Sequence, residues 1–246
     1  MIPMRGLPAA ELLHVWERGV RQHPVDRALT VLSACLDEPV EELARASVGR
    51  RDRALLALYE QMAGARLDGF AECPACGERL EYSLAVRDLL AGGECQESDT
   101  EFTMTAGEIS LRLRLVNSLD LADAAGYSDA DAAARVLAER SILEAHSDVG
   151  PIAVADLPEA IIDQAGSRLA QADPQAETLI NLACAACSHA WQVVLDIESF
   201  LWAKINALAK RLLREVHVLA SAYGWREAEI LSMSAARREF YLEIAS

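Results

Sequence analysis

Residues 73–86 read CPACGERLEYSLAV, and residues 184–197 read CAACSHAWQVVLDI. The two Cys-x-x-Cys pairs, Cys73 with Cys76 and Cys184 with Cys187, are four candidate thiolates. A tetrahedral zinc ion takes four soft ligands at about 2.3 Å, and a Cys-x-x-Cys turn delivers two of them from one tight loop. With an offset of 111 residues the stretches align without a gap, so that Leu84 falls on Leu195 and Leu90 on Leu201. Leu80, Tyr82, Leu84 and Val86 lie over Trp191, Val193, Leu195 and Ile197, and both series alternate with the period of a strand. Each half therefore reads as a two-cysteine turn feeding a strand, and the pair as a zinc ribbon. The first turn carries Gly77, suited to a close backbone turn, whereas the second has Ser188 there. Trp191 is placed to cover the metal.

Other chemistry is poorly provided for. A thioredoxin-like redox pair needs a strand leading to a helix that starts at the first cysteine, and neither turn offers one. His189 follows Cys187 by two, but its counterpart is Glu78, which points to a surface position. Cys35 falls on an apolar helix face and reads as a core thiol, and Cys95, in GGECQES, as an exposed one. His14, His23, His146 and His217 stand singly, and no His/carboxylate cluster accompanies a nucleophile. Zinc closed by four thiolates leaves no position for water, so no catalytic residue is expected.

The elements that must carry the cysteines follow from periodicity. Residues 9–64 read as helices: Leu12, Leu13, Trp16 and Val20 mark one face, with Pro24 ending that helix. Leu29, Leu32 and Leu36 mark a second helix that stops before Pro39. Ser47 caps a third, running through Leu55, Leu58, Tyr59 and Met62 to Gly64. ARLDGFAE reads as a strand into the first turn, DLLAGG as one helical turn before the Gly92-Gly93 break, and EFTMTAGEISLRLRLVN as a hairpin. Residues 118–172 read as helix, capped by Ser118 and Asp129 and punctuated by Pro151 and Pro158. TLINLA enters the second turn, and from Asp196 one long helix runs to Gly224, its apolar positions recurring from Ile197 through Leu219. Two short helices follow, the last capped by Ser234.

The expected fold class is α+β, mainly helical, with a split zinc ribbon. Its divisions are an N-terminal helical region (1–64), the two ribbon halves (65–91 and 178–200), an acidic hairpin-plus-helix insertion (92–177) and a C-terminal helical segment (201–246). Ordinary ribbons separate their pairs by roughly 15–20 residues. A long insertion is tolerable because loop closure costs grow only logarithmically with length.

The 246 residues carry a net charge of −15. Residues 92–177 hold 17 acids against five arginines, while 201–246 hold five acids against seven bases. Such a balance disfavours a nucleic-acid binder, which needs clustered Lys and Arg. No run approaches the ~18 apolar residues of a membrane span, and Pro and Glu interrupt the opening residues, which predicts a cytosolic protein without membrane insertion. No small-molecule substrate is indicated. In the C-terminal segment Trp225, Phe240 and Tyr241 interleave with Arg226, Arg237 and Arg238, residue types that dominate protein interfaces.

RLLREVHVLASAYGWREAEILSMSAARREFYLEI is similar to a helical motif of phage tail-assembly and baseplate proteins: a long helix, an aromatic turn YGW, a short EAEIL helix, then Arg-Arg before an aromatic residue. With VGRRDRALLALYEQ ahead of the first cysteine pair, and HAW and LDIESFLW after the second, the chain resembles the T4-type phage baseplate protein family, whose members also occur in contractile injection systems. The resemblance covers residues 9–91 and 178–246. It implies a non-enzymatic structural or assembly role among other baseplate or tail proteins, in the cytoplasm or in a phage-like particle. The alternative from the residues alone is a zinc-ribbon regulator or adaptor.

Overall fold

The computed structural model describes residues 4–36, 38–90 and 101–245, so the Gly92-Gly93 break and Cys95 lie outside the described residues. Four helices open the chain: α1 (Ala9–Gly19), α2 (Pro24–Cys35), α3 (Val40–Arg45) and α4 (Val48–Ala63). The first ends before Pro24, which instead opens α2. At a first helical position its missing N–H has no intrahelical partner to lose. The His23 ring Nδ1 caps the same turn by accepting from the Val25 N–H at 3.4 Å. Val20, read as part of the buried face of α1, is 51% exposed because the helix has already closed at Gly19.

A hairpin of β1 (Arg66–Glu72) and β2 (Arg79–Ala85) follows, then the single turn α5 (Val86–Leu89). Much later β7 (Leu179–Ala183) and β8 (Ala190–Val194) form the second hairpin, which runs into α9 (Ile197–Tyr223). Each is an isolated two-stranded antiparallel ribbon. Two-stranded ribbons are marginal on their own. These are held by their apolar faces: Leu67, Tyr82 and Leu84 from one, and Ile180, Leu182 and Val193 from the other, join a single core with Leu32, Leu55, Leu58 and Tyr59 of the opening helices and Leu201 and Ile205 of α9. The helix α9 is thus the spine, packing on α1, α2 and α4. Replacing Leu201 or Ile205 by Ala would cost about 2–5 kcal/mol, as for other fully buried aliphatic residues.

The segment between the ribbons departs from the hairpin-plus-helix expectation. The hairpin β3 (Glu101–Ala106) and β4 (Ile109–Arg114) is present, as are α6 (Ser118–Ala124), α7 (Ala130–Ser141) and α8 (Glu159–Ala172). Residues 142–151, read as helix, instead form β5 (Ile142–Ser147) and β6 (Gly150–Pro151), completing a four-stranded antiparallel sheet in the order β3-β4-β5-β6. A register shift at Arg112/Leu113 interrupts the β4–β5 pairing, which breaks the alternation that would have marked a strand. The cap of α6 is Asn117 rather than Ser118, since Asn117 and Asp120 form a reciprocal capping box. The sheet and helices share a core of their own, built on Leu111, Leu113, Ile142, Leu157, Ile162 and Leu169.

Polar groups tie this second core to the first, and they converge on the N-terminus of α4. A helix leaves its first N–H groups without intrahelical partners. Here the Val48 N–H donates to the Val116 carbonyl at 2.9 Å, the Gly49 N–H to Asp173 Oδ2 at 2.9 Å and the Arg50 N–H to Ser47 Oγ at 3.1 Å. Two of the three acceptors come from the inserted segment. Gly49 permits this, because a Cβ there would lie 1.8 Å from Asp173 Oδ1. After α9, α10 (Glu227–Ser232) and α11 (Ala235–Ala245) fold back against it.

Candidate metal centre

Each knuckle is the turn between the two strands of its ribbon, and the two turns have the same backbone hydrogen bonds. In the first, the Cys73 N–H donates to the Glu78 carbonyl at 2.8 Å and the Gly77 N–H to the Cys73 carbonyl at 2.9 Å. In the second, Cys184 donates to His189 at 2.8 Å and Ser188 to Cys184 at 2.9 Å. Gly77 takes φ 74° and Ser188 φ 62°. The serine thus adopts the left-handed conformation that its counterpart reaches without a Cβ, at a cost of about 1–2 kcal/mol. The resemblance between the two sequences is therefore a resemblance of backbone conformation.

Packing of the ribbons into one core brings the knuckles together. The sulfurs of Cys73, Cys76, Cys184 and Cys187 all lie within 4.8 Å of one another. Cys73 Sγ is 3.6 Å from Cys187 Sγ, and Cys76 Sγ is 3.7 Å from Cys184 Sγ. Both separations cross between knuckles, and both are far too long for a disulfide, near 2.05 Å. They match the edge of a tetrahedron, roughly 3.8 Å for metal–sulfur bonds of about 2.3 Å. In each knuckle the first cysteine is buried and the second exposed. The donor set and spacing suit a metal ion with four thiolate ligands.

The electrostatics point the same way. Burial pushes the Cys73 thiol up, but the N–H groups of Ala75 and Cys76 at its sulfur prevail and bring it down to about 7. At Cys76 the Glu78 N–H favours the thiolate, yet the neighbouring Cys187, Cys184 and Cys73 and desolvation push it up to about 12. Sulfurs this close cannot all ionise unless a cation sits among them, which links metal binding to proton release.

His189 stays outside the cluster; its ring stacks on Trp191 at 5.9 Å and it is exposed. Cys35 is 1% exposed in the main core, and burial pushes its thiol up to about 11.

The residues singled out near the C-terminus separate into two groups. Trp225 and Tyr241 are half-buried and pack on Tyr223, with ring centroids 4.5 and 5.6 Å away. Arg238, read as a surface group, is 5% exposed: its Nε donates to Glu215 Oε2 at 2.9 Å and its Nη1 to the Met233 carbonyl at 2.7 Å. It fastens α11 to α9, so its expected place in a docking surface is withdrawn. Arg226, Arg237 and Phe240 are exposed, Phe240 by 60%. Sequence reasoning missed Gly49 and Asp173, which lie 124 positions apart and meet only in the fold.

No family model, curated protein or solved structure matches this chain. None of the helices among the described residues is long and apolar enough to cross a membrane.

Proposed function

We propose that Cys73, Cys76, Cys184 and Cys187 hold one structural zinc ion and that the chain is a non-enzymatic component of a contractile-tail or injection-system baseplate, either resident in it or needed to assemble it. The observation that carries the first part is the closed cluster of four sulfurs, two from each knuckle, within 4.8 Å of one another. When bound, zinc would staple the two ribbons and supply folding energy rather than catalysis, since four thiolates leave no site for water. The baseplate reading is supported by the order of motifs along the chain, with the YGW turn and the Arg-Arg-aromatic helix after the second cysteine pair. Exposed Arg226, Arg237 and Phe240 are the groups through which a tail protein would be met.

The test is removal of the gene from its native host and electron microscopy of contractile particles. The expected result is loss or disorder of the baseplate, restored by the wild-type gene. Normal particles without the gene, or a host that makes no contractile particle, would defeat the reading.

A further inference from the structure

The helices α9 and α11 lie side by side and leave a groove of about 600 Å3. Arg211 and Arg214 of α9 line one side, Glu239 and Glu243 of α11 the other, with Glu215, Val218 and Leu242 between them. Spacings of three and four residues set each row along one helix face. The four charged residues of the two sides are exposed. Arg211 pairs with Glu215 of its own helix. Beneath them Arg238 of α11 pairs with Glu215 of α9 at 2.9 Å, but among the described residues no ion pair within 4.0 Å joins Arg211 or Arg214 to Glu239 or Glu243, and none engages Arg214, Glu239 or Glu243.

The exposed arginines and glutamates therefore face each other across the groove without pairing. The basic side continues along α9 into Lys210 and Lys204, the only two lysines in a chain of net charge −15. Beside the acidic side, Phe240 and Ile244 stand 60% and 62% exposed. One basic row, one acidic row and apolar groups form a self-complementary surface. A two-fold axis through the groove would set each copy's arginines against the other's glutamates, as an isologous interface requires. We infer that the α9–α11 groove is a homodimer interface and that its occupant is the same groove of a second copy of this chain. The inference does not depend on the baseplate reading.

Analytical ultracentrifugation of the full-length, metal-replete protein over a micromolar concentration series tests it. The expected result is a reversible dimer that weakens as salt rises. Arg214→Glu and Glu243→Arg should each raise the dissociation constant by roughly tenfold or more, since like charges then face each other. Circular dichroism and melting should stay at wild type, both positions being exposed. Mixing the two variants should restore a dimer, because every basic row then meets an acidic one. A Val218→Asp variant tests the floor of the groove without touching either charged row, and it should also be monomeric. A wild-type protein that stays monomeric throughout, a dimer indifferent to these substitutions, or a mixture no tighter than its parts would overturn the inference.

Discussion

Replacing Gly49 by alanine should destabilise this protein, although glycine-to-alanine changes in helices usually do the opposite. Alanine ordinarily favours a helix over glycine by up to about 1 kcal/mol. Here the new Cβ would fall 1.8 Å from Asp173 Oδ1 and 2.6 Å from its Cγ, so the carboxylate must leave. Its departure breaks the 2.9 Å bond from the Gly49 N–H. A hydrogen bond to a charged group contributes about 1.5–3 kcal/mol. The attraction between a carboxylate and a helix N-terminus adds roughly 0.3–1 kcal/mol. Set against the propensity gain, the net loss is about 1–3 kcal/mol. At roughly 2–4 °C per kcal/mol for a chain of this size, the melting temperature should fall by about 2–12 °C. Hydrogen exchange at residue 49 should rise in parallel, as that amide loses its acceptor from the inserted segment. The assay is calorimetry of four proteins: wild type, Gly49→Ala, Asp173→Ala and the double variant. Once Asp173 is gone, the alanine should be neutral or stabilising. A Gly49→Ala protein that melts at or above wild type, or costs that simply add, would refute the reasoning.

Three further outcomes follow from particular contacts. Asp120 is fully buried and held by Arg114 at 2.6 and 2.8 Å and Arg140 at 3.1 Å; desolvation raises its pKa, but these partners and the Asn117 N–H prevail and lower it. Its contribution is present above the unfolded carboxyl value near 4 and is lost as pH falls through the lower folded value, and Asp120→Asn should cost about 3–5 kcal/mol at neutral pH, read from denaturant unfolding. Ser188→Gly should stabilise the second knuckle by roughly 0.5–1 kcal/mol, the relief of its left-handed backbone less the entropy glycine adds to the unfolded chain, and an unchanged or lower melting temperature would contradict this. Cys35, with its thiol raised to about 11, should resist iodoacetamide at pH 8 until the chain unfolds, as peptide mass mapping of the alkylated protein would show.

Local signals made the four-cysteine cluster and most of the helices readable. Cysteine spacing, the Ser47 cap, the helix start at Asp196 and the period of α9 are each contained in a short window of sequence, and one such window, the two-cysteine turn with its strand, is repeated 111 residues on. Features set by distant partners were not readable in this way. The strand β5 has too few apolar residues and a disturbed register, and it is a strand because β4 pairs with it. The six-residue helix α3 is short and acidic, and its placement depends on Leu43 and Ala44 reaching the main core. Arg237 and Arg238 are identical in sequence terms, yet only Arg238 meets Glu215, 23 residues earlier, and is buried.

Metal content is the most direct test of the central claim, that four cysteines from two distant knuckles share one ion. Elemental analysis should be made on protein purified without chelators, for the wild type and for the Cys73→Ser/Cys184→Ser double variant. The account predicts one zinc per wild-type chain, no iron, and none of either metal in the variant, which removes one ligand from each knuckle. A wild-type protein free of zinc, iron in its place, or full zinc retained by the double variant would contradict it.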